Sequence, residues 1–287
     1  MQIAIASGKG GTGKTTLAVN LAAVADGEVR LLDCDVEEPN AQLFFHGTEL
    51  GEEPVEVPVP RIDSDRCSGC GACVNFCRYG ALFCPGGTPL VFPELCHSCG
   101  GCALICPDEA ISETPRTIGR LVSVQREGKA LIYGELNTGE SMAPTVIRAV
   151  KHHANGGGLT LIDAPPGTAC PAVEAIRDAD FVVLVTEPTP FGLHDLQLAV
   201  AMTRELGRRF GVVINRVGIG DDRVERYCAD QSIPVLMAIP NDRALAEAYS
   251  RGELFVDAFP TLRERFRTLL ARIHAGTTEH QEACAIL

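Results

Sequence analysis

The chain is predicted to be an α/β protein with a mostly parallel, doubly wound sheet, interrupted by a small inserted α+β domain. Three observations lead there. The apolar run Ile3-Ala-Ile-Ala opens into a glycine-rich turn and then a helical pattern carried by Leu17, Val19, Leu21 and Ala22. Short apolar runs at Val29–Asp33, Leu159–Asp163, Phe181–Thr186, Gly211–Ile214 and Val235–Ile239 alternate with helix-length segments; such runs are apolar on both faces, as central parallel strands are. Between them lies a segment with two cysteine runs of equal spacing, chemically unlike its surroundings. The expected division is 1–57 and 118–275 for the sheet domain, 58–117 for the insert and 276–287 for a tail.

Gly8 to Thr15 satisfies G-x-x-x-x-G-K-[ST] between a predicted strand and a predicted helix, which is the context a phosphate loop requires. Gly8, Gly10, Gly11 and Gly13 let backbone N–H groups converge on phosphate oxygens, helped by the positive end of the helix that follows. In such loops the lysine, here Lys14, holds the β and γ phosphates, and the hydroxyl of Thr15 faces Mg²⁺. Thr12 and Thr16 complete the nucleotide-binding stretch. ATP and Mg²⁺ are the expected cofactors.

Lys9 is a second lysine that the general motif does not need. With it, Lys9 to Thr16 reads K-G-G-x-G-K-T-T and resembles the deviant-Walker-A ATPases, the MinD/ParA/Mrp group that includes the nitrogenase iron protein. The resemblance implies ATP hydrolysis with Lys9, Lys14 and Asp35 as the catalytic set, and an ATP-sandwiched homodimer in which Lys9 reaches the partner's phosphates. The run Asp33-x-Asp35-x4-Asn40 is similar to the family's switch I, so Asp35 would orient the attacking water and help hold Mg²⁺. Position alone also allows a solvated acidic pair at a strand end. Asp163-Ala-Pro-Pro-Gly167 resembles Walker B and switch II, which implies Mg²⁺ held through water by Asp163 and γ-phosphate sensing at Gly167. Asn215-Arg216 stands where these ATPases recognise adenine, and Pro240-Asn241-Asp242 is similar to the loop that closes over the base. Asn, Pro and Asp are equally ordinary turn residues.

The second signal is Cys67-x2-Cys70-x2-Cys73-x3-Cys77, repeated 29 residues later as Cys96-x2-Cys99-x2-Cys102-x3-Cys106. The flanks repeat too, Tyr79-Gly-Ala-Leu being echoed by Asp108-Glu-Ala-Ile, so the segment is an internal duplication. Its spacing resembles the bacterial two-cluster ferredoxins, in which the fourth cysteine of each half ligates the other half's cluster. That implies one [4Fe-4S] centre on Cys67, Cys70, Cys73 and Cys106, and another on Cys96, Cys99, Cys102 and Cys77. Zinc sites usually set a longer loop between two C-x2-C pairs. Arg78 stands where the ferredoxin run has proline, and Cys84-Pro85 nearby is either an alternative ligand or a free thiol. Cys34 is read as a small buried residue. Cys170, seven residues after Asp163, matches the place of a cluster ligand in the nitrogenase iron protein; with no second cysteine in Gly134 to Val150, it is read as a buried thiol behind the switch.

Thirteen cysteines without an export signal point to metal ligands rather than disulfides. No run reaches membrane-span length, and the expected location is cytoplasmic. A net charge of −12 argues against nonspecific nucleic-acid binding and against adhesion to anionic lipid. Pro54 to Pro60 reads as an extended connector, Pro115 as the close of the insert, and Leu121–Val124 with Ala130–Tyr133 as a strand pair. A helix follows near Pro144 to His153, with His152-His153 serving its dipole and Gly156 to Gly158 ending it. The last helix, Leu262 to Ile273, is basic and amphipathic and is expected to cover a sheet rather than lie on a membrane. Cys284-Ala-Ile-Leu fits a prenylation box but lacks a polybasic run. Taken together, the two resemblances imply an ATP-hydrolysing dimeric switch that serves electron transfer or cluster maturation of a redox or metalloprotein partner. A positioning protein of the MinD/ParA kind and a redox-sensing regulator are the alternatives.

Overall fold

A computed structural model describes residues 1–154 and 156–284, without the side chains of 276–284. The last three residues of the Cys284-Ala-Ile-Leu box lie outside the described residues. The chain forms two compact units: Met1–Glu52, Leu121–Glu135 and Ala143–Leu287 make the first, Glu53–Arg120 with Leu136–Met142 the second. The expected insert, 58–117, falls within the second unit.

In chain order the first elements are β1 (Gln2–Ala6), α1 (Lys14–Val24), β2 (Val29–Asp33) and β3 (Thr48–Ile62). The second unit adds α2 (Ala72–Phe76), the short hairpin β4 (Leu82–Phe83) and β5 (Leu90–Val91), and α3 (Gly101–Leu104). Then come β6 (Ile111–Arg126), β7 (Lys129–Leu136), α4 (Ala143–Lys151), β8 (Leu159–Asp163), α5 (Cys170–Ile176), β9 (Phe181–Thr186) and α6 (Pro190–Glu205). The chain finishes with β10 (Phe210–Val217), α7 (Arg223–Asp230), β11 (Val235–Pro240), α8 (Arg243–Ser250), α9 (Phe255–Ala258) and α10 (Pro260–Cys284).

Nine of the described strands form a sheet in the order β11-β10-β9-β1-β8-β2-β7-β6-β3, and β4 pairs with β5 apart from it. From β11 to β7 every pairing is parallel. Buried on both faces, β1, β8 and β9 show the continuous apolar runs that such strands require. The strand order reverses at β1 and β8, and in doubly wound sheets ligands bind beyond the carboxyl ends at such a point. Asp33 and Asp163 end adjacent strands and pair in register there.

Three expectations change. Pro54 to Pro60 is part of β3 rather than a free connector: Val55, Val57 and Val59 are buried alternately with exposed Glu and Pro, and β3 lies at the sheet edge, where missing N–H donors cost little. Pro115 does not close the insert, because β6 runs through it. The final helix continues to Cys284, beyond the expected Ile273 and into the expected tail. Its apolar stripe of Leu262, Phe266, Leu269 and Ile273 is buried in the core, so this helix covers the sheet. The expected strand pair is the hairpin β6–β7, closed by Glu127 and Gly128, both at positive φ as a type I′ turn demands. Among the described residues no helix is long and apolar enough to cross a membrane.

Candidate nucleotide site and cysteine-lined cavities

The loop between β1 and α1 is shaped by close approach. A side chain at Gly8 would put its Cβ 2.2 Å from the carbonyl oxygen of Asp195. Gly13 sits at φ 96°, and a Cβ there would lie 2.4 Å from Asn215 Nδ2. No side chain caps the N-terminus of α1 and no acidic residue stands in its first turn, which leaves backbone N–H groups for an anion. Lys14 and Thr12 are buried, and Thr12 Oγ1 has no hydrogen-bond partner.

A cleft of about 450 Å³ opens over this loop. Gly10, Gly11, Gly13, Lys14, Thr15 and Thr16 form one wall; Asp35, Asn40, Asn215, Pro240 and Asp242 face it. Ile239, Leu245, Tyr249 and Phe255 supply an apolar end suited to a base. Gly8, Lys9, Thr12, Asp163 and Gly167 do not line the cleft. Gly8 is pressed on Asp195, and Lys9 Nζ pairs with Glu187 Oε2 at 3.1 Å. The Gly167 N–H donates to Ser7 O at 3.0 Å.

The three carboxylates at the strand ends have different surroundings. Asp33 accepts from the backbone N–H groups of Asp35, Asn40 and Ala41, each at 3.0 Å, so it holds the following loop in shape. Asp163 is fully buried, and neither of its oxygens closes a hydrogen bond of good geometry, although the Thr15 hydroxyl lies beside it. Burial, followed by the charge of Asp33, pushes its carboxyl well above the usual range. An orphaned buried carboxylate is costly, and a cation is the partner that would satisfy it. Asp35 stands in the cleft with its pKa raised to about 6, first by burial and then by Asp33. Asn215 uses both ends of its amide: Nδ2 donates to Thr12 O at 2.8 Å and Oδ1 accepts from Arg216 N at 2.9 Å. Asp242 caps α8, accepting from Ala244 N at 2.8 Å. Arg216, expected beside Asn215, lines the cleft as well; Glu187 was not anticipated, since the motif gives no signal for it.

In the second unit the duplication appears in the backbone. Gly69 and Gly71 in one half, Ser98 and Gly100 in the other, all take positive φ, and the short helices α2 and α3 follow. The halves are cross-stitched. Asp63 N donates to Ala110 O and Phe92 N to Ala81 O, each donor four residues before the first cysteine of its run. Ser68 donates through N and Oγ to Asp108 Oδ2, and at the equivalent positions His97 stacks on Tyr79 at 3.8 Å. One cavity is lined by Cys67, Cys70, Cys73 and Cys106. Another, broader and largely apolar, is lined by Cys77, Cys96, Cys99 and Cys102. Cys84 lines neither and donates to Gly87 O. The described cysteines are free thiols, and among the described residues no three His, Cys, Asp or Glu side chains converge as a single-ion site. Cys34 is buried as expected. Cys170 is exposed, contrary to expectation: it begins α5, whose buried face is Ala172, Ala175 and Ile176.

Comparison with known proteins agrees with the geometry of the first unit. An uncharacterized protein of Methanocaldococcus jannaschii is 32% identical, the match covering 89% of this chain and 91% of that one. An iron–sulfur cluster carrier protein of the same organism is 24% identical over 95% of this chain and 83% of its own length. The structure of the Pyrococcus furiosus cell division ATPase MinD superposes with a TM-score of 0.57 at 22% identity, covering 96% of this chain and 98% of that one. Residues 3–255 match the CobQ/CobB/MinD/ParA nucleotide binding domain, and the chain accordingly belongs to that family of P-loop ATPases.

Proposed function

We propose that this protein is an ATP-hydrolysing dimeric switch carrying two [4Fe-4S] clusters, which couples ATP binding and hydrolysis to electron transfer, or to metal or cluster maturation, of a partner protein. The observation that carries the reading is the pairing, on one chain, of a complete phosphate loop with two cavities each lined by four thiols. Low-identity similarity to an iron–sulfur cluster carrier supports the same chemistry.

The residues fit the cofactors. The unpartnered oxygens of buried Asp163, with the Thr15 hydroxyl and Asp35, form a hard oxygen set suited to Mg²⁺. Mg²⁺ would neutralise charge developing on the phosphate oxygens. Lys14 would bind the β and γ phosphates, with the N–H groups at the start of α1 beside them. Asp35, ionised at neutral pH, would accept a hydrogen bond from the attacking water and fix its direction. Phosphoryl transfer needs positioning and charge more than covalent chemistry, and these side chains supply both.

The first thiol quartet is Cys67, Cys70, Cys73 and Cys106, and the second is Cys96, Cys99, Cys102 and Cys77. In both, the fourth thiol comes from the other half of the duplication. Three successive two-residue or three-residue gaps suit the wrapping of a cube better than a zinc knuckle, whose two C-x2-C pairs are set apart by a longer loop. A [4Fe-4S] centre supplies one-electron transfer when bound.

Anaerobic purification with iron, sulfide and zinc analysis, alongside phosphate-release assays, tests both halves of the proposal. We expect about eight iron and eight acid-labile sulfides per chain, and phosphate release abolished by Lys14→Ala. Stoichiometric zinc, or about four iron, would overturn the two-cluster assignment. Hydrolysis surviving Lys14→Ala would overturn the assignment of the phosphate loop.

A further inference from the structure

We infer that Glu187 is a positioning residue that holds Lys9 on its own subunit and has to release it before an ATP-bound dimer closes; this rests on the dimeric-switch reading above. Each carboxylate oxygen of Glu187 holds one cation. Oε2 pairs with Lys9 Nζ at 3.1 Å, and Oε1 accepts from Arg216 Nη1 at 2.7 Å. Lys9 belongs to the phosphate loop, while Arg216 lies near the end of β10 and lines the nucleotide cleft. Glu187 therefore ties the phosphate loop to the end of β10.

The anchor is fixed and the two cations are the adaptable parts. Glu187 is itself buried, in the turn between β9 and α6. Thr186 Oγ1 donates to Gly192 O at 2.9 Å, Gly192 N donates to Thr189 Oγ1 at 3.0 Å, and Asp221 N donates to Pro188 O at 3.2 Å. At Gly192 the chain passes so close that a Cβ would lie 2.2 Å from Glu187 O. Lys9 and Arg216, by contrast, are half-exposed on flexible stems.

A buried carboxylate left without a cation is costly. With two cations in place, Glu187 can lose Lys9 and remain paired through Arg216. That arrangement makes the Lys9 contact separable: the lysine can leave for an anion on a second subunit while the turn stays satisfied. Arg216 is held at φ 54° with its N–H on Asn215 Oδ1, and Asn215 in turn grips Thr12 O. The remaining pair is thus anchored to the phosphate loop by a second route.

The test is sedimentation velocity of the full-length protein, titrated with a nonhydrolysable ATP analogue and Mg²⁺. Glu187→Gln keeps the shape and removes the charge, and we expect half-maximal dimerisation at roughly fivefold lower analogue concentration than wild type. Lys9→Ala should by itself raise the threshold, and adding Glu187→Gln to it should bring no further shift, a coupling that a merely structural role would not produce. Should Glu187→Gln fail to fold, Glu187→Asp, which draws the carboxylate back by one methylene, is expected to move the threshold in the same direction. A wild-type dimer with an unchanged or raised threshold in both Glu187 variants would overturn the role of Glu187 alone. Wild type and variants that all stay monomeric with analogue bound would overturn the dimer reading, and this inference with it.

Discussion

Asp33, Cys34 and Asp35 show how far one residue's neighbours decide its role. Asp33 is spent on three backbone N–H groups, Cys34 is buried, and of the three only Asp35 faces the cleft. In the absence of nucleotide and metal, Asp35 has a folded-state pKa raised from the ordinary 3.8 to about 6. The folded chain then binds this proton more tightly than the unfolded chain. The stabilisation is present in full below about pH 4 and is lost as pH rises through about 6. Asp35→Asn removes the effect, so the unfolding free energy of wild type relative to this variant should fall between pH 4 and 6 and level off above. Denaturant titrations across that range measure it, and a flat difference would contradict the burial argument. With Mg²⁺ and ATP, Asp35→Ala should retain nucleotide binding by fluorescent-analogue titration while phosphate release drops at least tenfold, about 1.4 kcal/mol in barrier height.

At the scale of elements, α10 does two jobs. Its apolar stripe closes one side of the sheet, and Phe266 is fully buried within that core. Its arginines reach across to the outermost strand: Arg265 donates to Ala238 O, and Arg272 to Leu236 O at 2.8 Å. Carbonyls of an edge strand are thereby occupied instead of being offered to another chain. Phe266→Ala should cost about 3–5 kcal/mol in chemical denaturation followed by circular dichroism. Arg272→Ala should change stability little and instead raise aggregation on mild heating, followed by light scattering. The helix α1 is tied in by a buried polar group of the same economy. Asn20 donates to Thr16 O and accepts from Val256 N, which fixes α9, at the apolar end of the nucleotide cleft, against the phosphate-loop helix.

For the whole molecule, the test is whether the two chemistries can be separated by mutation. Cys99→Ser should remove about half the iron and leave nucleotide binding intact, because Cys99 lines only the second thiol cavity. Exposed Cys170 lines neither cavity, so Cys170→Ala should leave iron content unchanged and ATPase activity within a fewfold of the parent. Iron and sulfide analysis beside phosphate release reads both variants. Loss of iron in Cys170→Ala would place a further ligand there.

Much of this architecture was legible along the chain because its signals are local. Gly8 to Thr16 requires glycines at positions set by backbone approach, parallel strands require unbroken apolar runs, and the cysteine spacing repeats in register. The edge strand β3 was hidden because Pro54, Pro58 and Pro60 weaken any local strand signal, and only its place at the end of the sheet removes the need for their N–H groups. Cys170 was misread because burial depends on which face of α5 meets the sheet. Glu187 and Arg216 lie 178 and 207 residues beyond Lys9, so no spacing rule could join them. The sequence by itself determined the phosphate loop, the strand rhythm and the repeated cysteine spacing, since each is dictated by neighbours along the backbone. Tertiary structure alone decided that Asp163 is orphaned, that Asp33 braces a loop and that Lys9 is held by Glu187, because those outcomes depend on groups distant in the chain sharing one desolvated space.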